Sequence, residues 1–223
     1  MQRNVTFAPG EFYHLYNRGT EKRTIYKNKS DYNRFLVLMY LCNSTKQVSI
    51  ANEYRRGSSL NDMYKIDRID TLVDIGAHVL MPNHFHILVH EKNEGGISMF
   101  MKKLGTAYSM YFNTKYERSG NLFQGRFKAT HANEDNYLKY LFSYIHLNPV
   151  KLIYSNWKEN GINNRKKAER YLETYTYSSY IDYIGHKREE GRILSTKSFP
   201  DYFKKPNTFK EYVRDWISFS NDS

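Results

Sequence analysis

Two histidines lie two positions apart in a stretch that otherwise has the composition of a buried strand, LMPNHFHILVHE. Successive side chains of a strand point to opposite faces, so we expect His84 and His86 to share one face with Leu88 and His90. Phe85, Ile87 and Val89 are expected on the other face. Two adjacent imidazoles can form one edge of a divalent-cation site, or can be structural histidines held by hydrogen bonds. A cation would need at least one more protein ligand and open positions for a substrate.

A second candidate set lies late in the chain, where Tyr144 and Asn148 are four residues apart on a predicted helix. That spacing places both side chains on one helix face. Asn148 directly precedes Pro149, which disfavours helical geometry at the residue before it, so the amide also fits a C-terminal cap. Tyr144 likewise fits a tyrosine at the core edge. Beside the two histidines, however, the set suits phosphate chemistry: a cation to polarise a phosphate, an amide oxygen to complete its site and a phenol to attack.

The hydrophobic pattern predicts the elements that would hold these side chains. Their order is strand, helix, strand, strand, helix, strand, helix, which matches a ferredoxin-like β-α-β-β-α-β plan with one further helix. In chain order the segments are GEFYHLYNRG, a helix capped by Ser30-Asp31, TLVDIGAHVLMP, HFHILVHE, ISMFMKKLGTAYSMYFNTKY, a turn and short strand in SGNLFQGRFKATHA, and a helix in EDNYLKYLFSYIHLN. We therefore predict an α+β fold in which adjacent antiparallel strands, joined around MPN, hold both histidines within the sheet.

Two regions depart from this plan. Residues 45–70 are polar and weakly periodic, and we interpret them as a loop or an inserted elaboration. Beyond Trp157 a polar, basic break is followed by segments that resemble small helices. We predict a catalytic core domain over residues 1–155 and a small helical C-terminal extension over residues 156–223 that packs on it.

The composition indicates a polyanionic partner. The 223 residues include 34 Lys and Arg against 23 Asp and Glu, a formal net charge of +11 that suits nucleic acid or an acidic membrane surface. The 21 tyrosines and 13 phenylalanines can stack on unpaired bases or can be amphipathic residues at the core edge. The single cysteine, Cys42, excludes an intramolecular disulfide and a multi-cysteine metal site. No apolar run approaches a membrane span and the N-terminus lacks the apolar core of a signal peptide, so we expect a cytoplasmic protein.

Several motifs together resemble a known family. HVLMPNHFHILV is followed, with Tyr144 placed 58 residues after His86, by SYIHLNPVKL. This combination resembles the single-tyrosine HUH transposases, and most closely the REP-associated tyrosine transposases. FYHLYNRG, NLFQGRF and YSSYIDYIG resemble the same group, so the likeness covers most of residues 11–185.

The resemblance implies a role for each candidate residue. His84 and His86 would bind the metal, Mg²⁺ or Mn²⁺, and Tyr144 would be the nucleophile. Asn148 would occupy the place of the helix-borne third ligand, where insertion-sequence relatives usually have glutamine. Attack on a DNA phosphodiester would yield a 5′-phosphotyrosine and a free 3′-hydroxyl. The implied substrate is single-stranded DNA bearing hairpins, such as repetitive extragenic palindromes, and the protein would act as a monomer or a homodimer.

Five basic residues are candidates for contacts with the DNA backbone, and the pair Lys102 and Lys103 also fits an ordinary solvated helix face. The five are Arg18, Lys102, Lys103, Arg126 and Lys128, of which Arg126 and Lys128 are expected on one face of the short strand. Three rival functions remain: a hairpin-binding regulator without turnover, a metal-dependent nuclease that uses water instead of Tyr144, and a structural protein with core histidines.

Overall fold

The computed structural model describes residues 5–46, 49–157, 161–202 and 205–219. Residues 1–4, part of the N-terminal segment considered for a signal peptide, lie outside these ranges. The strands are β1 (Phe12–Arg18), β2 (Val73–Met81), β3 (His84–Glu91) and β4 (Lys128–His131). The helices are α1 (Lys29–Cys42), α2 (Ile50–Arg55), α3 (Gly96–Lys115), α4 (Asp135–Leu147), α5 (Arg165–Thr174), α6 (Tyr180–Tyr183) and α7 (Pro206–Phe219). None of these helices is long and apolar enough to cross a membrane.

The four strands form one antiparallel sheet in the order β2-β3-β1-β4. The first and third strands along the chain therefore lie side by side at the centre, as the split β-α-β plan requires. The α+β class and the ferredoxin-like plan predicted from the sequence are confirmed. His86 on β3 lies opposite Tyr16 on β1, and the two histidines of the motif are part of the sheet itself.

The two faces of the sheet pack against different layers. Phe85, Ile87 and Val89 are buried in a core shared with α1 and α3. Leu88, which points the other way, is buried in a second core shared with α4 and the C-terminal residues. The alternation predicted for β3 is confirmed, and the side that carries His86, hereafter the histidine face, is the one that α4 covers.

Helix α1 begins earlier than its sequence pattern indicates. Its cap is Asn28, whose side-chain oxygen accepts from the backbone N–H of Asp31 at 3.3 Å. Asp31 is buried and accepts from Lys115 at 2.6 Å and from Tyr116 at 2.7 Å, which links α1 to α3. The cap predicted at Ser30-Asp31 is therefore wrong. Asn28 caps the helix, and the fully buried carboxylate of Asp31 instead bonds to α3.

The region interpreted as a loop or an insertion, residues 45–70, contains α2 and a 3-10 turn at Asn61–Lys65. Residues 47–48 within it lie outside the described ranges. Met63 and Tyr64 are buried in the core of α1 and α3, so the second half of this region is anchored to the main body.

The C-terminal extension pairs with the outer edge of the sheet at β2. The backbone N–H of Leu80 donates to the Tyr177 carbonyl at 3.0 Å, and that of Ser179 donates to the His78 carbonyl at 3.0 Å. The Tyr175 hydroxyl also donates to the Leu80 carbonyl at 2.6 Å. These contacts fix residues 175–179 against β2. The division into domains at residue 155 stays a prediction.

Ser179 also ties this segment to α4. Its buried hydroxyl lies 2.7 Å from Nε2 of His146 and accepts from the backbone N–H of His78 at 2.9 Å. Nδ1 of His146 lies 2.8 Å from the Phe142 carbonyl, which can only accept, so Nδ1 carries the proton and Nε2 accepts from Ser179. One hydroxyl thus connects β2, α4 and the extension.

We expect Ser179→Ala to lower the free energy of unfolding by about 1–3 kcal/mol, because two buried groups lose this partner. Denaturant unfolding followed by circular dichroism measures the change. Ser119→Ala is the control, because Ser119 is exposed and a surface change there should alter stability by less than about 0.5 kcal/mol. Equal stability of Ser179→Ala and the unmodified chain would contradict the expectation.

Candidate active site

Three imidazoles from the two central strands meet on the histidine face. Nε2 of His14 on β1 lies 2.8 Å from Nδ1 of His86 on β3. The ring of His84 lies 5.1 Å from that of His86, and its Nδ1 is 2.6 Å from Oδ1 of Asn83. Both predicted ligands therefore share one face. Their Nε2 atoms have no hydrogen bond to any described residue, so these are the nitrogens available to a cation.

His14 is a member of this cluster that the sequence analysis did not single out. The signal was present, because FYHLYNRG alternates and places His14 and Tyr16 on one face of β1. What neither strand reveals alone is the pairing of β1 with β3, in which Tyr16 lies opposite His86. His14 therefore comes beside His86 through a long-range contact between strands.

Burial keeps the three imidazoles neutral. It lowers the pKa of His14 to about 4, and burial together with the Lys151 and Arg18 charges lowers the pKa of His84 to about 4. The pKa of His86 falls well below its ordinary value through burial first and then through the neighbouring His14 and His84. A neutral imidazole offers a nitrogen lone pair, so these side chains can act as ligands at neutral pH without first losing a proton.

Helix α4 places the phenol of Tyr144 over the same cluster. Its ring is edge-on to His86 with centroids 5.4 Å apart, and edge-on to His14 at 5.8 Å. Tyr144 is half-buried, and burial followed by the charges of Tyr140 and Tyr16 raises its pKa, against a smaller opposing effect of Asn148. Without a bound cation this phenol is a weaker acid than free tyrosine, so ionisation needs a positive charge nearby.

Asn148, at the end of α4, has features of both a helix C-terminal cap and a metal ligand. Its Nδ2 donates to the Tyr144 carbonyl at 2.7 Å, which satisfies a backbone acceptor at the helix end. Its Oδ1 is buried and has no hydrogen-bond partner among the described residues. Burying an amide oxygen without a hydrogen-bond donor costs free energy. Coordination of a cation by this oxygen would offset that cost. The α-helix ends at Leu147, and a 3-10 turn follows it over Asn148–Leu152.

The donor set fits a divalent cation in chemistry. Two neutral imidazoles and one buried amide oxygen are acceptable ligands, and three protein ligands leave positions for a phosphate. Among the described residues, no group of three or more His, Cys, Asp or Glu side chains could hold a metal ion. A cation at this place therefore depends on the Asn148 amide, and the assignment of these ligands stays a prediction.

Two of the five basic candidates lie on the histidine face. Arg18 is paired with His84 across β1 and β3, and Lys128 is paired with Tyr16 across β1 and β4. Directly opposite residues in an antiparallel pair project to the same side, so both cations flank the imidazole cluster. Nε of Arg18 also donates to Oε1 of Gln124 at 2.5 Å, which fixes its side chain near the sheet edge.

The other three basic candidates lie elsewhere. Lys102 and Arg126 are exposed and line an open groove of about 1420 Å³ between α3 and the segment before β4. Lys103 donates to the Ser44 carbonyl at 2.6 Å, which ties its ammonium group to the end of α1. The prediction that Arg126 shares a strand face with Lys128 is wrong, because β4 begins at Lys128 and Arg126 precedes it in a loop.

The sequence of residues 58–148 matches the family described as "Transposase IS200 like". The match covers less than half of the chain, so it marks this segment as similar to the IS200-like transposases. It contains His84, His86 and Tyr144 and ends at Asn148, so all four residues of the candidate site fall within it.

Solved structures of similar shape include a REP-associated tyrosine transposase bound to a REP hairpin, with a TM-score of 0.48 and 13% identity over 85% of this chain and 89% of that one. Another is the tRNA(His) guanylyltransferase of Saccharomyces cerevisiae, with a TM-score of 0.37 and 11% identity over 94% of this chain and 86% of that one. Neither similarity bears on the chemistry of the site. Among curated proteins, no sequence matches the chain significantly.

Proposed function

We propose that the chain is a metal-dependent tyrosine transposase that cleaves and rejoins single-stranded DNA at hairpin sites. The observation that carries the proposal is the position of the Tyr144 ring, 5.4 Å from that of His86 and on the helix whose C-terminal cap is Asn148. A nucleophilic oxygen, two neutral imidazoles and a buried amide oxygen without a donor would then belong to one site. His84 and His86 lie on β3, Tyr144 lies on α4 and Asn148 lies in the 3-10 turn that follows α4.

His84, His86 and Asn148 would hold a Mg²⁺ or Mn²⁺ ion, which when bound neutralises charge on the scissile phosphate and favours the phenolate. The oxygen of Tyr144 forms a bond to phosphorus, and the bond from phosphorus to the 3′-oxygen breaks. The phenolic proton passes to water, and the departing 3′-oxygen takes a proton from water. The products are a 5′-phosphotyrosine and a free 3′-hydroxyl, and attack by another strand's 3′-hydroxyl reverses the step.

The rest of the chain supports a nucleic-acid substrate. The formal charge is +11, and Arg18 and Lys128 flank the imidazole cluster on the same sheet face. Phosphate contacts by such side chains supply affinity without reading sequence. Hairpin DNA is proposed on the likeness of the sequence motifs to those of the REP-associated group.

The test is covalent capture. The unmodified protein is incubated with end-labelled hairpin DNA and Mg²⁺, and the products are separated under denaturing conditions. We expect a protein band that keeps the label after denaturation, together with a cleaved strand ending in a 3′-hydroxyl. Cleavage without a labelled protein band would favour the nuclease that uses water, and binding without cleavage would favour the regulator.

DNA affinity should depend steeply on salt if phosphate contacts dominate. The logarithm of the binding constant for single-stranded DNA should fall against that of the salt concentration with a slope of about −0.7 for each phosphate contacted. Arg18→Ala and Lys128→Ala should each reduce the steepness by about 0.7. Lys29→Ala is the control, because Lys29 is exposed at the start of α1, in the layer behind the opposite face. A flat titration would count against binding to the backbone.

A further inference from the structure

A row of half-exposed aromatic rings leads away from Tyr144 along α4. Tyr137, Tyr140 and Tyr144 are spaced by three and four residues, so they follow one side of the helix. The ring centroids of Tyr137 and Tyr140 are 6.1 Å apart with planes inclined by 22°, and those of Tyr140 and Tyr144 are 5.9 Å apart. Trp216 of α7 extends the row, with its ring 5.1 Å from that of Tyr140. We call these four residues the aromatic row.

The aromatic row differs from the core that it borders. Leu138, Leu141 and Phe142, on the buried side of α4, are each at most 3% exposed. Tyr137, Tyr140 and Trp216 each keep part of their surface in water, and Tyr137 and Trp216 rest against that core. Aromatic rings with one part on apolar neighbours and one part in water are suited to take up a further flat group.

The length of the aromatic row and the positive charge beside it indicate which flat group would stack on it. From Tyr144 to Tyr137 the helix rises by roughly 10 Å, which corresponds to about three bases stacked at 3.4 Å along one strand. Nζ of Lys151 lies 5.9 Å from the Tyr144 ring centroid, so a positive charge stands at the end of the row where a phosphate would enter. Unpaired bases stack on aromatic side chains without regard to sequence, while cations beside the rings hold the backbone.

We propose that the aromatic row binds the unpaired nucleotides next to the scissile phosphate, and that Trp216 makes the C-terminal extension part of this subsite. The proposal rests on Tyr144 being the nucleophile, and it adds a binding surface that the transposition chemistry does not itself require. It also assigns a function to α7, which lies far along the chain from the motif residues.

The test measures binding of a fluorescent single-stranded thymidine oligonucleotide of about twelve nucleotides, in EDTA so that no metal-dependent cleavage occurs. Tyr137→Leu and Trp216→Leu keep apolar bulk but remove the aromatic face, and each should weaken binding by about tenfold. Tyr137→Phe and Trp216→Phe keep a ring and should bind like the unmodified protein. Tyr54→Leu is the matched control, because Tyr54 is 41% exposed on α2, in the layer behind the opposite sheet face.

Two further measurements make the outcome decisive. Binding of a blunt duplex of the same length should be unchanged in the leucine variants, since its bases are already stacked. Thermal unfolding establishes that each variant is folded, and Tyr137→Leu remains informative if Trp216→Leu detaches α7. Folded leucine variants that bind the single strand as tightly as the unmodified protein would overturn the proposal. The aromatic row would then have only a packing role. Because binding is read without cleavage, this failure differs from loss of the covalent adduct, which would refute the proposed function instead.

Discussion

Tyr144→Phe is expected to abolish the covalent adduct and to reduce DNA cleavage by a factor on the order of 10⁴ or more, as removal of a nucleophile does in other enzymes. The change removes one oxygen and keeps the ring that packs edge-on against His86 and His14. The free energy of unfolding and the affinity for hairpin DNA should therefore stay close to those of the unmodified chain. Denaturing electrophoresis with labelled hairpin DNA measures the adduct, and peptide mapping of the unmodified protein should locate it at Tyr144.

Tyr140→Phe provides the matched control for this experiment. Tyr140 lies one helical turn before Tyr144, has a ring contact with it and also has its pKa raised by burial. Loss of its hydroxyl should leave adduct formation intact, because its ring contacts do not include the imidazole cluster. If Tyr144→Phe cleaves hairpin DNA at the rate of the unmodified protein, the nucleophile is water or another tyrosine and the transposase mechanism fails.

His86→Ala is expected to reduce Mg²⁺-dependent cleavage by about two to three orders of magnitude, because the cation would lose a ligand that stabilises charge in the transition state. Binding of single-stranded DNA should be largely retained, since phosphate contacts dominate affinity. Cleavage rates at several Mg²⁺ and Mn²⁺ concentrations measure the effect. A higher metal requirement in His84→Ala would indicate that both imidazoles serve one cation.

His90→Ala is the control for His86→Ala, because His90 is a histidine of the same strand that is not proposed as a metal ligand. His90 lies four residues after His86 on β3, and its Nδ1 is 3.3 Å from a carboxylate oxygen of Asp74. Its replacement should leave the metal dependence of cleavage unchanged. Unaltered cleavage in a folded His86→Ala protein would contradict the metal assignment and return His86 to a structural role beside His14.

Local periodicity was sufficient to predict how several side chains of the candidate site are arranged. The alternation of β3 placed His84 and His86 on one face, and the four-residue spacing placed Tyr144 and Asn148 on one side of α4. Both patterns depend only on the geometry of a single element. The aromatic row is partly of this kind, because three of its four members come from α4.

Features that depend on contacts between distant segments could not be predicted in this way. His14 joins the imidazole cluster through the pairing of β1 with β3, and Trp216 reaches Tyr140 through the packing of α7 on α4. The sequence around Ser179 gives no sign of its buried hydrogen bonds, because they form only when the segment packs against β2 and α4. Arg126 was misplaced for a smaller reason, because the strand that follows it begins two residues later than its alternation indicated.

The pairing of residues 177–179 with β2 has a consequence for how the sheet meets other molecules. A strand at the edge of a sheet presents unpaired amide and carbonyl groups that can recruit a strand from another chain. Here two backbone groups of β2 already form hydrogen bonds with Tyr177 and Ser179. Self-association through that edge would therefore first require the C-terminal extension to dissociate from β2. A chain truncated after residue 155 would expose a nine-residue strand that is buried along its whole length in the full chain. Such a truncated chain should aggregate under conditions in which the full chain stays dispersed.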